Sequence, residues 1–122
     1  MKYAIHAYEA LFYGLYGIYT DFVVDVKSPV EAQEMAEAES LTIMESHPSI
    51  MDSLYETVYD LYNDEELDEE TARMYVEELM GQNICFKMCR VRDDAPDDIE
   101  IDYEDFVEKY KAPWDSYWKL TK

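Results

Sequence analysis

The chain contains few of the residues that mark several protein classes. Its 122 residues include three Gly, four Pro and two Cys, which excludes a fibrous or low-complexity chain and a small disulfide scaffold. No apolar run approaches the roughly 18 residues that a membrane-spanning helix needs. No basic segment followed by an apolar stretch and a cleavage site opens the chain. These absences predict a single compact domain over residues 1–122, located in the cytoplasm.

Positive charge is also scarce. Ten Lys and Arg residues stand against 29 Asp and Glu residues, giving a formal net charge of −19. Residues 28–86 hold sixteen carboxylates and a single basic residue, Arg73. Because phosphate groups are bound by Lys and Arg, this balance argues against direct binding of nucleic acid or of an anionic membrane. Negative charge of this density destabilises a compact chain by self-repulsion. We therefore expect the charge to have a role, which is either to keep the protein soluble or to bind a basic partner.

Aromatic residues are plentiful, and they indicate a folded chain. They make up 15% of the sequence, and twelve of them are Tyr. Disordered acidic chains lack such anchors for a core. We therefore interpret the sequence as a folded acidic domain.

The hydrophobic pattern predicts an α+β fold. Residues 2–8, 21–26 and 83–92 alternate as strands, whereas residues 48–62 have the period of a helix. Three further helices begin at the caps described below. The predicted order is strand-strand-helix-helix-helix-strand-helix, with a small antiparallel sheet of about three strands packed against three to four helices. We expect the helices to cover one face of the sheet.

Helix starts are marked by capping residues. Ser28 followed by Pro29 and Glu31 predicts a capping box and a helix that runs to about residue 45. Asp68 and Asp102 are predicted caps of two later helices. Among the apolar residues, the helical period assigns Val30 and Leu61 to the core.

The predicted partner-binding residues are clustered carboxylates. Three of them recur every fourth residue on one face of the second helix, and others follow in the adjoining turn and the start of the third helix. A second group lies in the loop after the last strand. The first group is Asp52, Glu56, Asp60, Asp64, Glu65, Glu66, Glu69 and Glu70, and the second is Asp93, Asp94, Asp97 and Asp98.

The sequence offers no clear site for chemistry. Acidic stretches beginning at Asp64 or Asp98 lack the Gly and Glu that a calcium loop requires at its sixth and twelfth positions. Cys85 and Cys89 are four residues apart in a predicted strand, about 13 Å between Cα atoms, too far for a disulfide. We predict no catalytic residue, no metal and no cofactor, and therefore no enzyme.

The small, Tyr-rich, acidic α+β character resembles that of anti-CRISPR and antirestriction proteins, which phages and mobile elements use against bacterial defence. The segment from Tyr3 to Glu9 is similar to a seven-residue stretch of the conjugative-element antirestriction family. This resemblance implies a DNA mimic that acts in the cytoplasm of a bacterial host. Its implied partner is a basic nucleic-acid-binding protein, either a CRISPR effector nuclease or a restriction enzyme.

Other functions fit the same charge. An immunity protein or antitoxin would neutralise a basic nuclease toxin through similar electrostatics. An acidic phage structural or assembly protein would use its charge only for solubility, and it would self-associate through the aromatic tail between Trp114 and Trp118. The sequence leaves open whether the chain is a monomer or a dimer.

Overall fold

The computed structural model describes residues 1–9, 18–62, 67–112 and 119–121. In these residues, no helix is long and apolar enough to cross a membrane. The elements, in chain order, are β1 (Lys2–Glu9), β2 (Tyr19–Asp25), α1 (Pro29–Ser46), α2 (Pro48–Tyr62), α3 (Glu69–Gln82), β3 (Ile84–Val91), α4 (Tyr103–Tyr110) and β4 (Lys119–Thr121).

The strands form one antiparallel sheet in the order β2-β1-β3-β4. The α+β architecture and the order of the three long strands and four helices are confirmed. The short strand β4, which pairs with residues 87–89 of β3, was not predicted. In the centre of the sheet, His6 of β1 lies opposite Asp21 of β2 on one side and Lys87 of β3 on the other.

Helix α1 packs on one face of the sheet. This face presents alternate residues of each strand, including Ile5 of β1, Val24 of β2 and Phe86 of β3. Ala32 and Ala36 of α1 are fully buried against it. Small side chains at these positions let the helix approach the strands closely, so the first core layer forms between α1 and the sheet.

The opposite face is covered by α4. Phe106 and Val107 of this helix share a buried cluster with Ala4 of β1 and with Cys89 and Val91 of β3. The expectation that the helices lie on one face of the sheet is therefore wrong. The physical reason is that β1 is buried on both faces, so its apolar residues do not alternate with polar ones, and a second layer has to cover the other side.

Helices α2 and α3 form an outer layer behind α1. Their core stripes pack against Met44 of α1, and the stripes are Ile50, Leu54 and Val58 in α2 and Ala72, Val76 and Met80 in α3. Val30 and Leu61, both predicted in the core, are 63% and 67% exposed. Each lies in a terminal turn, where the sequence period continues but none of the described elements covers the side chain.

The predicted helix caps are present in α1 and α3. The backbone N–H of Glu31 donates to the Ser28 hydroxyl at 3.2 Å. The Glu31 carboxylate accepts from the backbone N–H of Lys27, one residue before the cap, at 2.9 Å. In α3, the N–H of Thr71 donates to Asp68. These bonds satisfy backbone donors that a helix start leaves without an intrahelical acceptor.

Ser40 ties α1 to two strands. Its buried hydroxyl donates to the carbonyl of Tyr8 in β1 at 2.9 Å and accepts from the N–H of Cys85 in β3 at 3.2 Å. One side chain thus satisfies a backbone acceptor and a backbone donor, and it fixes how far along the sheet the helix lies.

We expect Ser40→Ala to lower the free energy of unfolding by about 1–3 kcal/mol, because both backbone groups would lose a buried partner. Urea denaturation measures this change. Thr42→Ala is the control, since the Thr42 hydroxyl is exposed and donates only within α1, to Ala38; its effect should stay within about 0.5 kcal/mol. Equal stability of Ser40→Ala and the wild type would contradict the bridging role.

Candidate functional site

The predicted acidic row on α2 is exposed along its length. Asp52, Glu56 and Asp60 all lie on the side of the helix opposite its buried stripe. Residues four apart rise about 6 Å along a helix, so the row places three carboxylates over about 12 Å. No described cation forms an ion pair with any of them.

The first turn of α3 adds to this row. Glu69 and Glu70 are exposed and line a shallow depression together with Tyr55 of α2 and Arg73. Arg73, the only basic residue of the segment 28–86, pairs within its own helix with Glu77 at 3.4 Å. We call Asp52, Glu56, Asp60, Glu69 and Glu70 the acidic helical surface.

Exposed apolar side chains lie on the same two helices. Leu61 and Met74 are each more than 60% exposed, and Tyr59 is 38% exposed. Leu61 lines a second depression with Tyr75 and Glu78 of α3, so the end of α2 lies beside the second half of α3. The helical period did not predict this exposed apolar surface, because the pattern places Leu61 in the core. It also did not predict that Glu78 lines the same depression as Leu61.

The second predicted group lies in the loop between β3 and α4, and cations of the same region partly neutralise it. Asp97 pairs with Lys2 at 3.1 Å, and Asp94 pairs with Arg92 at 3.3 Å. Asp93 and Asp98 are also exposed. This loop packs through Ala95 onto the α4 side of the sheet.

The structure does not bring the two predicted groups together. The acidic helical surface belongs to the layer behind α1, whereas the loop of residues 93–98 lies on the opposite face of the sheet. Asp64, Glu65 and Glu66 of the first group, and the aromatic tail from Trp114 to Trp118, fall outside the described residues. The described members of the two groups therefore lie on opposite sides of the sheet.

A polar and aromatic cluster on the α4 face joins three elements. His6 Nδ1 lies within hydrogen-bonding distance of Asp21, and its ring contacts Tyr8, Tyr19 and Tyr103 at centroid distances of 5.0–5.4 Å. The Tyr103 hydroxyl donates to the carbonyl of Ala4, and burial raises the pKa of Tyr103. The sequence pattern placed His6 on a strand but did not reveal this pairing, because Asp21 is fifteen residues away.

The thiol beside this cluster is poorly suited to nucleophilic chemistry. Burial raises the pKa of Cys85, so little of it is thiolate at neutral pH. Neither cysteine forms a disulfide, and Cys89 is buried. Within the described ranges, no three His, Cys, Asp or Glu side chains are grouped so that they could hold a metal ion.

No known protein clarifies this arrangement. No family model, no curated protein and no solved structure matches the chain. The geometry and charge of the described residues therefore carry the functional argument.

The α3 cap predicts a pH dependence of stability. The Thr71 backbone N–H donates to Asp68 at 2.7 Å and holds the pKa of that carboxyl below its ordinary value. Folding therefore favours the ionised form, and this contribution is present above the unfolded pKa and is lost as pH falls through the lower folded pKa. We expect Asp68→Asn to lower the urea midpoint at about pH 6, with the difference from wild type closing toward about pH 2.

Asp52→Asn is the matched control, because it removes the same charge from an exposed site that accepts no described backbone N–H. At about pH 6 its difference from wild type should be smaller than that of Asp68→Asn, because no backbone N–H of the described residues loses its carboxylate acceptor. Parallel pH profiles for the two variants would show that general charge repulsion, and not the cap, sets the dependence.

Proposed function

We propose that this protein inhibits a bacterial defence nuclease, of the CRISPR effector or restriction type, by occupying its basic nucleic-acid-binding surface. The acidic helical surface makes the contact. Inhibition is competitive and involves no chemistry of the inhibitor's own. The observation that carries the proposal is the row Asp52, Glu56 and Asp60, exposed on α2 and unpaired with any described cation.

The charge distribution supports this choice of surface. Duplex DNA presents one negative charge per about 1.7 Å of its axis. A single helical row of carboxylates carries fewer charges per unit length than duplex DNA. The row on α2 is supplemented by Glu69 and Glu70 beside it. Arg73, the basic residue at this surface, pairs with Glu77 within its own helix, so most of the field faces outward. Such a field attracts a basic groove and raises the association rate at low salt.

Exposed apolar groups give this surface a way to bind more tightly than charge alone allows. Leu61, Met74 and Tyr59 are exposed on the same two helices, and apolar and aromatic anchors carry much of the binding energy at protein interfaces. The combination favours a protein partner.

The test is a DNA-cleavage assay with purified CRISPR effector and restriction nucleases. We expect the chain to inhibit a member of this panel, and excess DNA or added salt to relieve the inhibition. The triple variant Asp52→Lys, Glu56→Lys and Asp60→Lys should raise the inhibitory concentration about ten-fold or more, because it reverses the charge that faces the groove.

A control triple variant, Glu34→Lys, Glu45→Lys and Asp105→Lys, makes the same change in net charge at exposed positions outside the acidic helical surface. It should retain inhibition. Equal effects of the two triple variants, or inhibition insensitive to both DNA and salt, would reject the proposal. Inhibition confined to a nuclease toxin would instead favour an immunity protein.

A further inference from the structure

A cleft on the α4 side of the molecule is separate from the acidic helical surface. It lies between the loop that follows β3 and helix α4 and has a volume of about 410 Å³. This volume falls within the usual range of binding clefts. Among its described lining residues, Ile101, Phe106 and Tyr110 provide an apolar floor, and Asp98 and Glu100 provide carboxylates.

The floor is aromatic and partly open. The rings of Phe106 and Tyr110 are in contact, with centroids 4.8 Å apart. Phe106 is buried, but Ile101 is 48% exposed, although isoleucine is normally buried. An aliphatic chain lying on this floor would cover the exposed part of Ile101.

The carboxylates at the rim are available to a cation. Asp98 and Glu100 are exposed, and neither forms an ion pair with a described basic residue. Asp97 at the same rim is different, because it already pairs with Lys2. The cleft therefore combines an apolar floor with two carboxylates that no described cation neutralises.

The Tyr110 ring already attracts cations within the chain. The Lys109 ammonium lies 5.3 Å from the ring centroid, and the Arg92 guanidinium carbon lies 5.7 Å from it. Both distances are within the range of a cation–π contact, about 6 Å. Lys109 also lines the cleft, so a cation belonging to the chain itself occupies part of the space.

We propose that this cleft binds an arginine side chain on a basic segment of a protein partner. The aliphatic stem of arginine lies on the exposed Ile101 side chain, in the way that long basic side chains cover apolar surface. The planar guanidinium donates to Asp98 and Glu100, for which its fork of N–H groups is better shaped than a lysine ammonium. This inference is independent of the proposed function, since it concerns another face of the protein.

The test is a titration of the isolated, isotope-labelled chain with the peptide acetyl-Gly-Arg-Gly-amide at low salt, followed by NMR. We expect saturable shifts of the Ile101 methyl groups and of the Lys109 and Tyr110 amides. Asp98→Asn and Glu100→Gln should each lower the affinity for the peptide about two- to five-fold, the range that an exposed ion pair contributes. Lys109→Gln should raise the affinity for the peptide, because this substitution removes a cation that competes with the arginine.

Two control variants separate the cleft from the overall charge. Asp105→Asn lies on α4 outside the cleft lining, and Lys111→Gln removes a lysine that pairs with Glu108; both should leave the affinity unchanged. Equal effects of the control and cleft variants, or shifts spread over the whole surface, would overturn the proposal. Equal binding of the corresponding lysine peptide would overturn the assignment to arginine. No nuclease enters this experiment, so its outcome is independent of the cleavage assay.

Discussion

The burial of strand β1 on both faces is the constraint on which the other layers depend. The strand pairs with β2 on one side and with β3 on the other, and it is buried on both faces. Each covering helix also bonds to a β1 carbonyl through a side-chain hydroxyl, Ser40 of α1 to Tyr8 and Tyr103 of α4 to Ala4. A hydrogen bond made inside an apolar layer is costly to lose, so these two contacts fix where each helix lies on the sheet.

This layering decides where the negative charge accumulates. The residues around β1 carry their own cations, and Lys2 and Arg92 pair with carboxylates of the loop after β3. The outer layer of α2 and α3 is one further step from the sheet and contains Arg73 alone among basic residues. Helix α1, which packs on the sheet, likewise carries five Glu and no Lys or Arg, so self-repulsion builds up across all three helices on this side of the sheet. The arrangement separates the sheet from the acidic helical surface.

Residue type alone predicted two of the three N-caps, but the third, Asp102 of α4, makes no side-chain capping hydrogen bond. Ser28 and Asp68 cap the helices predicted for them, because a side-chain oxygen at that position satisfies a backbone N–H. Prediction failed for Leu61, which follows the helical period of the buried stripe but is 67% exposed, because the described part of the chain leaves its side chain uncovered. The acidic row on α2 was predictable because it depends only on the helical repeat. The cleft beside α4 was not, since it requires a loop and a helix to meet.

The sequence by itself determined the net charge, the helix starts and the positions of the three long strands, because all three depend on residues close together in the chain. Only the tertiary structure decided that the two acidic groups lie on opposite sides of the sheet, and that His6 meets Asp21. It also decided that Lys109 shares a cleft with Asp98 and Glu100. These relations depend on which face of β1 each helix covers, and that choice is made by packing between elements distant in sequence.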